Sequence, residues 1–232
     1  MTYGNQLSLW PDVLGDEPDS ARIRLVGRRK GFVPSDHETY RSVPLVLASE
    51  SRSKIDILRQ LGLRFVVDPA DIDERSFIRD TPESMVCDLA ESKARAVLPR
   101  HPGTLIIGAD TVVIDANGII GKPIDKMDAR GILKRLAGSS HKVITGLVAI
   151  DGLSNSMVRK VATSVVKFRE LSDLTIERYV YTGEPIGKAG GYGLQGIGAL
   201  LIEKIEGEYT NVMGLPVQTF VDVLHHLGYE LI

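Results

Sequence analysis

Val43-Pro-Leu-Val-Leu-Ala48 gives way to Ser49-Glu-Ser-Arg-Ser-Lys54, after which Ile55, Ile57, Leu58 and Leu61 recur at helical spacing before Gly62. The stretch reads as strand, loop, helix and stop, the opening unit of an α/β sheet with a loop at a helix N-terminus. Hydroxyls and unpaired N–H groups there, with Arg52 and Lys54 beside them, make an anion site that suits phosphate. A plainly capped surface helix accounts for the same residues equally well.

Downstream, Thr81 before Pro82-Glu83 predicts a capped helix running to about Leu98, with Val86, Leu89, Ala90 and Val97 as its apolar stripe and Lys93 on that same face. Thr104 to Ile114 is β-rich and closes on the turn Asp115-Ala-Asn-Gly118. A helix is predicted over about 128–137, strands over 143–150 and 158–168, and a helix over 172–181. A glycine-rich stretch (187–198), a strand over 199–205 and a helix over about 216–227 follow. Strands alternating with helices, together with two hairpin signals, predict a mixed α/β sheet. Residues 1–43 mix Asp, Pro, Arg and Gly without periodicity and are expected to be a poorly ordered extension of a domain spanning 44–232.

The 28 Lys and Arg against 30 Asp and Glu leave a net charge of −2, which gives no support for a protein that holds duplex nucleic acid by neutralising phosphates. No apolar run approaches the roughly 18 residues of a membrane span, and the N-terminus lacks a secretory layout, so a cytoplasmic protein is expected. The single cysteine, Cys87, falls in a helical pattern where a buried inert thiol is usual. The five histidines lack ligand spacing, so structural zinc is not expected.

Asp110 interrupts an apolar strand, where a carboxylate is costly to desolvate unless it is paired, metal-bound or at a cleft; a catalytic base is the favoured reading over an outward bend. Lys54, Lys93 and Lys122 each resemble ordinary snorkelling lysines. Together with a Ser-rich loop and Asp110 they suggest phosphoryl chemistry, which rests on charge stabilisation and positioning. Asp71, Asp73 and Glu74 form an acidic cluster able to offer oxygen ligands to a hard cation, or a merely polar loop. Gly191-Tyr-Gly193-Leu-Gln-Gly196 satisfies a dinucleotide fingerprint but has loop before it and strand after it, the wrong context for a nicotinamide site. These glycines are expected to let a loop approach a nucleotide.

Leu47-Ala-Ser-x-Ser, Glu91-Ser-Lys93-Ala, Gly108-Ala-Asp-Thr111, Gly121-Lys-Pro, Lys188-Ala-Gly-x-Tyr-Gly-x-Gln-Gly196 and Val212-x-Gly-Leu-Pro216 occur in order. From about Pro44 onward this resembles the Maf nucleotide pyrophosphatases. The resemblance implies a two-lobed, inosine triphosphate pyrophosphatase-like fold with an active-site cleft, hydrolysis of nucleoside triphosphates to monophosphate and pyrophosphate, a divalent cation (Mg²⁺ or Mn²⁺), cytoplasmic location and a homodimer. By the same resemblance Asp110 is the proton acceptor, Glu74 and Asp110 hold the metal, and Ser49, Ser51, Lys93 and Lys122 contact substrate phosphates; Lys54, from its place at the helix start, is expected to join them. Ser53, Thr111 and Gln195 stand at the specificity positions. Thr111 and Gln195 match the subfamily acting on dTTP and UTP, whereas that acting on 7-methyl-GTP usually has Gln and Glu there. The usual Ser-Pro-Arg-Arg is here Ser51-Arg-Ser-Lys54, and lysine lacks the planar fork of arginine, which leaves the base preference open. A nucleotide-binding regulator with little turnover is the alternative.

Overall fold

The computed structural model describes residues 25–27, 41–74 and 80–231. Its main sheet has seven strands: β3 (Leu45–Leu47), β4 (Val66–Val67), β5 (Leu105–Asp115), β6 (Gly118–Ile120), β7 (Ser140–Asp151), β8 (Met157–Phe168) and β9 (Ile202–Glu206). They run in the order β4-β3-β5-β7-β8-β9, with β6 paired to β5. The β3–β4 and β3–β5 pairs are parallel and the rest antiparallel, so the mixed α/β sheet expected from the pattern is present.

Successive residues of β5 point to opposite faces, and each face has its own cover. On one side Ile106 of β5 joins Val46, Val148 and Ile150 against Ala90, Ala94 and Val97 of helix α2 (Pro82–Val97). On the other side Ile107 and Ala109 join Leu45, Leu47 and Leu147 under helix α1 (Arg52–Gln60) and the later helix Val217–His226. Further along that side Val113, Val143, Val166 and Phe168 pack with helix α3 (Lys126–Leu136) and helix α4 (Asp173–Tyr181). On that side the interior is thus divided between Ala109 and Val113, and Thr111 falls in the gap, while Asp110 beside it turns to the face that α2 covers.

Caps set the helix starts. Thr81 accepts from the Ser84 N–H at 3.2 Å with Pro82 in the first turn, as the sequence predicts. The third helix begins at Lys126, slightly earlier than its apolar pattern suggests, because the Asp125 side chain accepts from the Asp128 N–H at 2.8 Å. A short helix α5 (Tyr209–Val212) precedes α6 (Val217–His226).

The strand expected over 199–205 begins only at Ile202. Residues Ile197–Leu201 form a 3-10 turn instead: the Ala199 N–H bonds back to the Gly196 carbonyl at 3.2 Å and the Ile202 N–H to that of Ala199, while the Glu184 carboxylate takes the Ile197 and Gly198 N–H groups at the start of the turn. Within the stretch read as an extension, β1 (Leu25–Gly27) pairs with both β2 (Arg41–Ser42) and the C-terminal β10 (Tyr229–Leu231) in a small antiparallel sheet. The rest of residues 1–40 lies outside the described residues.

Candidate active site

The gap in the interior opens into a cleft of about 1030 Å³. Ser49, Ser51, Ser53, Lys54, Glu74, Lys93, Asp110, Thr111, Lys122 and Gln195 all line it, so these ten candidates face one cavity.

Helix α1 enters the cleft with its N-terminus open. Ser51 occupies the cap position in an extended conformation, yet its side chain does not bond the first-turn N–H groups, and the first turn holds no acid. The Ser51 N–H itself turns back to the Ser49 hydroxyl at 3.2 Å. Open helix N–H groups present partial positive charge outward and favour an anion. Lys54 follows in that first turn on the buried face with Ile57 and Leu58, and is only 7% exposed. Burial lowers its pKa from 10.5 to about 8; Asp110 works against that shift, while Lys93 and Lys122 add to it.

Strand β5 supplies Asp110 and helix α2 supplies Lys93. Lys93 Nζ lies 2.6 Å from Asp110 Oδ1 and 2.7 Å from Glu74 Oε1. Burial opposes the Lys93 charge, but the two carboxylates outweigh it and raise its pKa. Burial likewise opposes the Glu74 charge, and the Lys93 bond with the fields of Lys122 and Lys54 holds its carboxyl below the usual range. Of the acidic cluster only Glu74 reaches the cleft, since Asp71 and Asp73 are exposed and do not line it. Among the described residues no group of three or more His, Cys, Asp or Glu gathers as a metal cage. Glu74 and Asp110 offer hard oxygen donors that converge on the one point where the Lys93 ammonium sits. Two carboxylates completed by substrate oxygens suit Mg²⁺ or Mn²⁺, which often keep few protein ligands.

Thr111 faces the other side of β5. Its hydroxyl bonds that of Thr145, the residue opposite it on β7, at 2.9 Å, and donates to the Gly214 carbonyl at 3.3 Å. Gly214 has φ +104°, and a Cβ there would stand 3.3 Å from Lys54 Nζ. This explains the glycine of the Val212-x-Gly-Leu-Pro216 run: the backbone must pass tightly over both residues.

The glycine-rich stretch lines the cleft and also packs on a group within the protein. Gly193 and Gly196 close on the Glu184 carboxylate: a Cβ at Gly196 would lie 2.5 Å from Glu184 Oε2, and one at Gly193 would lie 3.0 Å from Oε1. The strand-to-helix context of a dinucleotide fingerprint is absent, since a 3-10 turn at Ala189–Gly191 precedes it and the turn at Ile197–Leu201 follows. Glu184 and Lys188 are cleft residues that residue-by-residue reading missed. The signal was there: a run of glycines without a nucleotide-binding context implies that another group approaches the backbone.

The remaining candidates are structural. Cys87 is 7% exposed, and burial raises its thiol pKa, as an inert thiol requires. His141 is buried beneath the cleft, its Nε2 2.8 Å from the Tyr192 hydroxyl, and burial lowers its pKa to about 4, so it is neutral. His101 sits on Asp68 at 2.7 Å, away from the cleft. His37 lies outside the described residues.

The profile of the Maf-like protein family matches residues 44–227. A dTTP/UTP pyrophosphatase of Symbiobacterium thermophilum is 43% identical over 187 residues, covering 81% of this chain and 95% of its own. One of Alkaliphilus metalliredigens is 46% identical, covering 78% and 94%. The solved structure of the Staphylococcus aureus Ham1 protein overlaps 54% of this chain and 71% of its own at 15% identity, with a TM-score of 0.38. By a match that spans residues 44–227, the chain belongs to the Maf-like protein family.

Proposed function

We propose that this chain hydrolyses nucleoside triphosphates at the α-phosphorus to the monophosphate and pyrophosphate, with dTTP and UTP as preferred substrates. The observation that carries the reading is the meeting of Asp110, Lys93 and Lys54 in one cleft at the open N-terminus of α1. Relatives at 43–46% identity named dTTP/UTP pyrophosphatases support the reaction and, with Thr111 and Gln195 in the cleft, the choice of base.

In this mechanism Asp110 accepts a proton from the attacking water. The α1 N–H groups with Ser49 and Ser51 cradle the phosphates, and Lys54, Lys93 and Lys122 offset the charge that develops on the leaving pyrophosphate. Glu74 and Asp110 would hold Mg²⁺ or Mn²⁺, which when bound supplies Lewis acidity and orients the triphosphate. Ser53, Thr111 and Gln195 select the base. Residues 44–232 form the catalytic unit, working as a cytoplasmic homodimer on small nucleotides rather than nucleic acid or membrane; among the described residues no helix is long and apolar enough to cross a membrane.

Incubating the protein and Mg²⁺ or Mn²⁺ with dTTP, UTP, CTP, GTP, ATP and 7-methyl-GTP, followed by ion-exchange chromatography, tests this directly. Monophosphate and pyrophosphate from dTTP and UTP are expected. Release of single phosphates, or binding without turnover, contradicts the reaction.

Lys54 gives a pH signature. Folding lowers its pKa, so the unfolded chain binds the proton more tightly. The cost to stability is present below about pH 8 and is relieved as pH rises from about 8 to 10.5. Phosphate affinity runs the other way and weakens as the ammonium is lost. The kcat/KM of the wild type is expected to fall by about tenfold per pH unit above about 8. Lys54→Arg, charged throughout, should lack that limb. Parallel profiles for the two proteins would remove Lys54 as the titrating group.

A further inference from the structure

Glu184 follows α4 in the turn Gly183-Glu-Pro185 and belongs to neither the phosphate loop nor the Asp110 cluster. Its carboxylate is fully engaged. Oε2 accepts the Ile197 N–H at 2.8 Å, and Oε1 accepts the Gly198 N–H at 3.0 Å and the Tyr179 hydroxyl at 3.1 Å. The Tyr179 oxygen in turn accepts the Gly193 N–H at 3.2 Å. Burial, then the Glu184 charge, raises the Tyr179 pKa, so the phenol stays protonated and keeps its donor role. One carboxylate therefore ties down the backbone on both sides of Gln195, at 193 through Tyr179 and at 197 and 198 directly.

Gln195, at the crest of this loop, is exposed and lines the cleft. Charge-assisted bonds to backbone N–H groups are stronger than neutral ones and rigidify what they hold. The neighbouring glycines leave room only for this arrangement. A Cβ at Gly198 would meet the Gly193 carbonyl and the Tyr179 hydroxyl, each at 2.7 Å.

We propose that Glu184 is the positioning residue of base selection: it clasps the 193–198 backbone and so sets the Gln195 amide against the nucleotide base. The inference rests on the reading of Gln195 as a specificity residue given above. Asp110 and the lysines act at the phosphates, so loosening the clasp affects which base is accepted more than how fast the anhydride breaks.

Glu184→Gln puts an amide NH₂ opposite backbone donors and opens the clasp at nearly constant volume. The ratio of kcat/KM for UTP over CTP is expected to fall by about tenfold, with kcat on dTTP held within about threefold. Gln195→Ala should lower the same ratio, and the double variant should lose no more than the larger single loss, since both act through one contact. Gly196→Ala attacks the clasp from the other side, where φ is an ordinary −124°, and should reproduce the loss if Glu184→Gln does not fold. In the wild type, the Ile197 and Gly198 amides should exchange slowly by NMR. An unchanged ratio in a folded Glu184→Gln protein, additive losses with Gln195→Ala, or fast exchange at those two amides each overturns the proposal. If another base is preferred, the best and next-best nucleotides replace UTP and CTP. If no nucleotide releases pyrophosphate, the proposed reaction fails, and amide exchange alone decides the clasp.

Discussion

Asp110→Asn is expected to lower kcat by about a thousandfold, within the usual range for loss of a general base, while leaving nucleotide binding measurable. Asparagine matches the carboxylate in size and its oxygen can still accept from Lys93 at the same position, but it cannot take a proton from water. Lys93 also keeps Glu74 as a partner, 2.7 Å away, so it is not left as an uncompensated buried charge, a situation that costs about 3–5 kcal/mol. Single-turnover hydrolysis of dTTP and calorimetric binding of a non-hydrolysable analogue separate the two effects. Activity above about a tenth of the wild type in that variant would remove Asp110 as the base.

Gly108→Ala and Gly146→Ala are each expected to destabilise the protein by about 3 kcal/mol or more. Helix α2 packs so closely on β5 and β7 that a Cβ at Gly108 would stand 2.0 Å from the Ala90 carbonyl oxygen. One at Gly146 would stand 2.5 Å from the Val86 carbonyl oxygen and 2.6 Å from the Cys87 nitrogen. These obstacles are backbone atoms, so relief requires the helix to move as a body. That movement would reach the site: Gly146 lies opposite Asp110 in the β5–β7 register, and α2 carries Lys93. Thermal unfolding should show each Tm lower by about 6–12 °C, the scale for a chain of this size. Surviving activity should also fall as Lys93 is drawn off Asp110. A shift under about 2 °C would show that the helix yields easily and that the close approach does not position the site.

Much of this was legible in local pattern. Period-2 and period-3.6 runs gave the long strands and the main helices, Thr81 and Pro82 gave the start of α2, and an acid inside an apolar strand singled out Asp110. Each depends on neighbours in sequence, where residue type alone carries the physics. The resemblance to the Maf family pointed to Glu74, Thr111 and Gln195, which no periodicity reveals and which all line the cleft.

Other features depend on partners distant in sequence. The pairing of β1 with the C-terminal β10 has no local signal, because two- and three-residue strands are too short to show alternation. The delayed start of β9 at Ile202 goes with a 3-10 turn over Ile197–Leu201 whose first N–H is held by a carboxylate 13 residues upstream. Composition alone marks Gly108 and Gly146 only as weak points in strands; the reason for them is a helix backbone brought against the sheet. Sequence by itself therefore determined the long strands and the main helices and singled out the side chains that line the cleft, since propensity, periodicity and charge act over a few residues. Only the tertiary structure decided that Lys93 bridges Glu74 and Asp110, that burial brings the Lys54 pKa down to about 8, and that the glycines enclose Glu184, because desolvation and close packing arise only when distant segments meet.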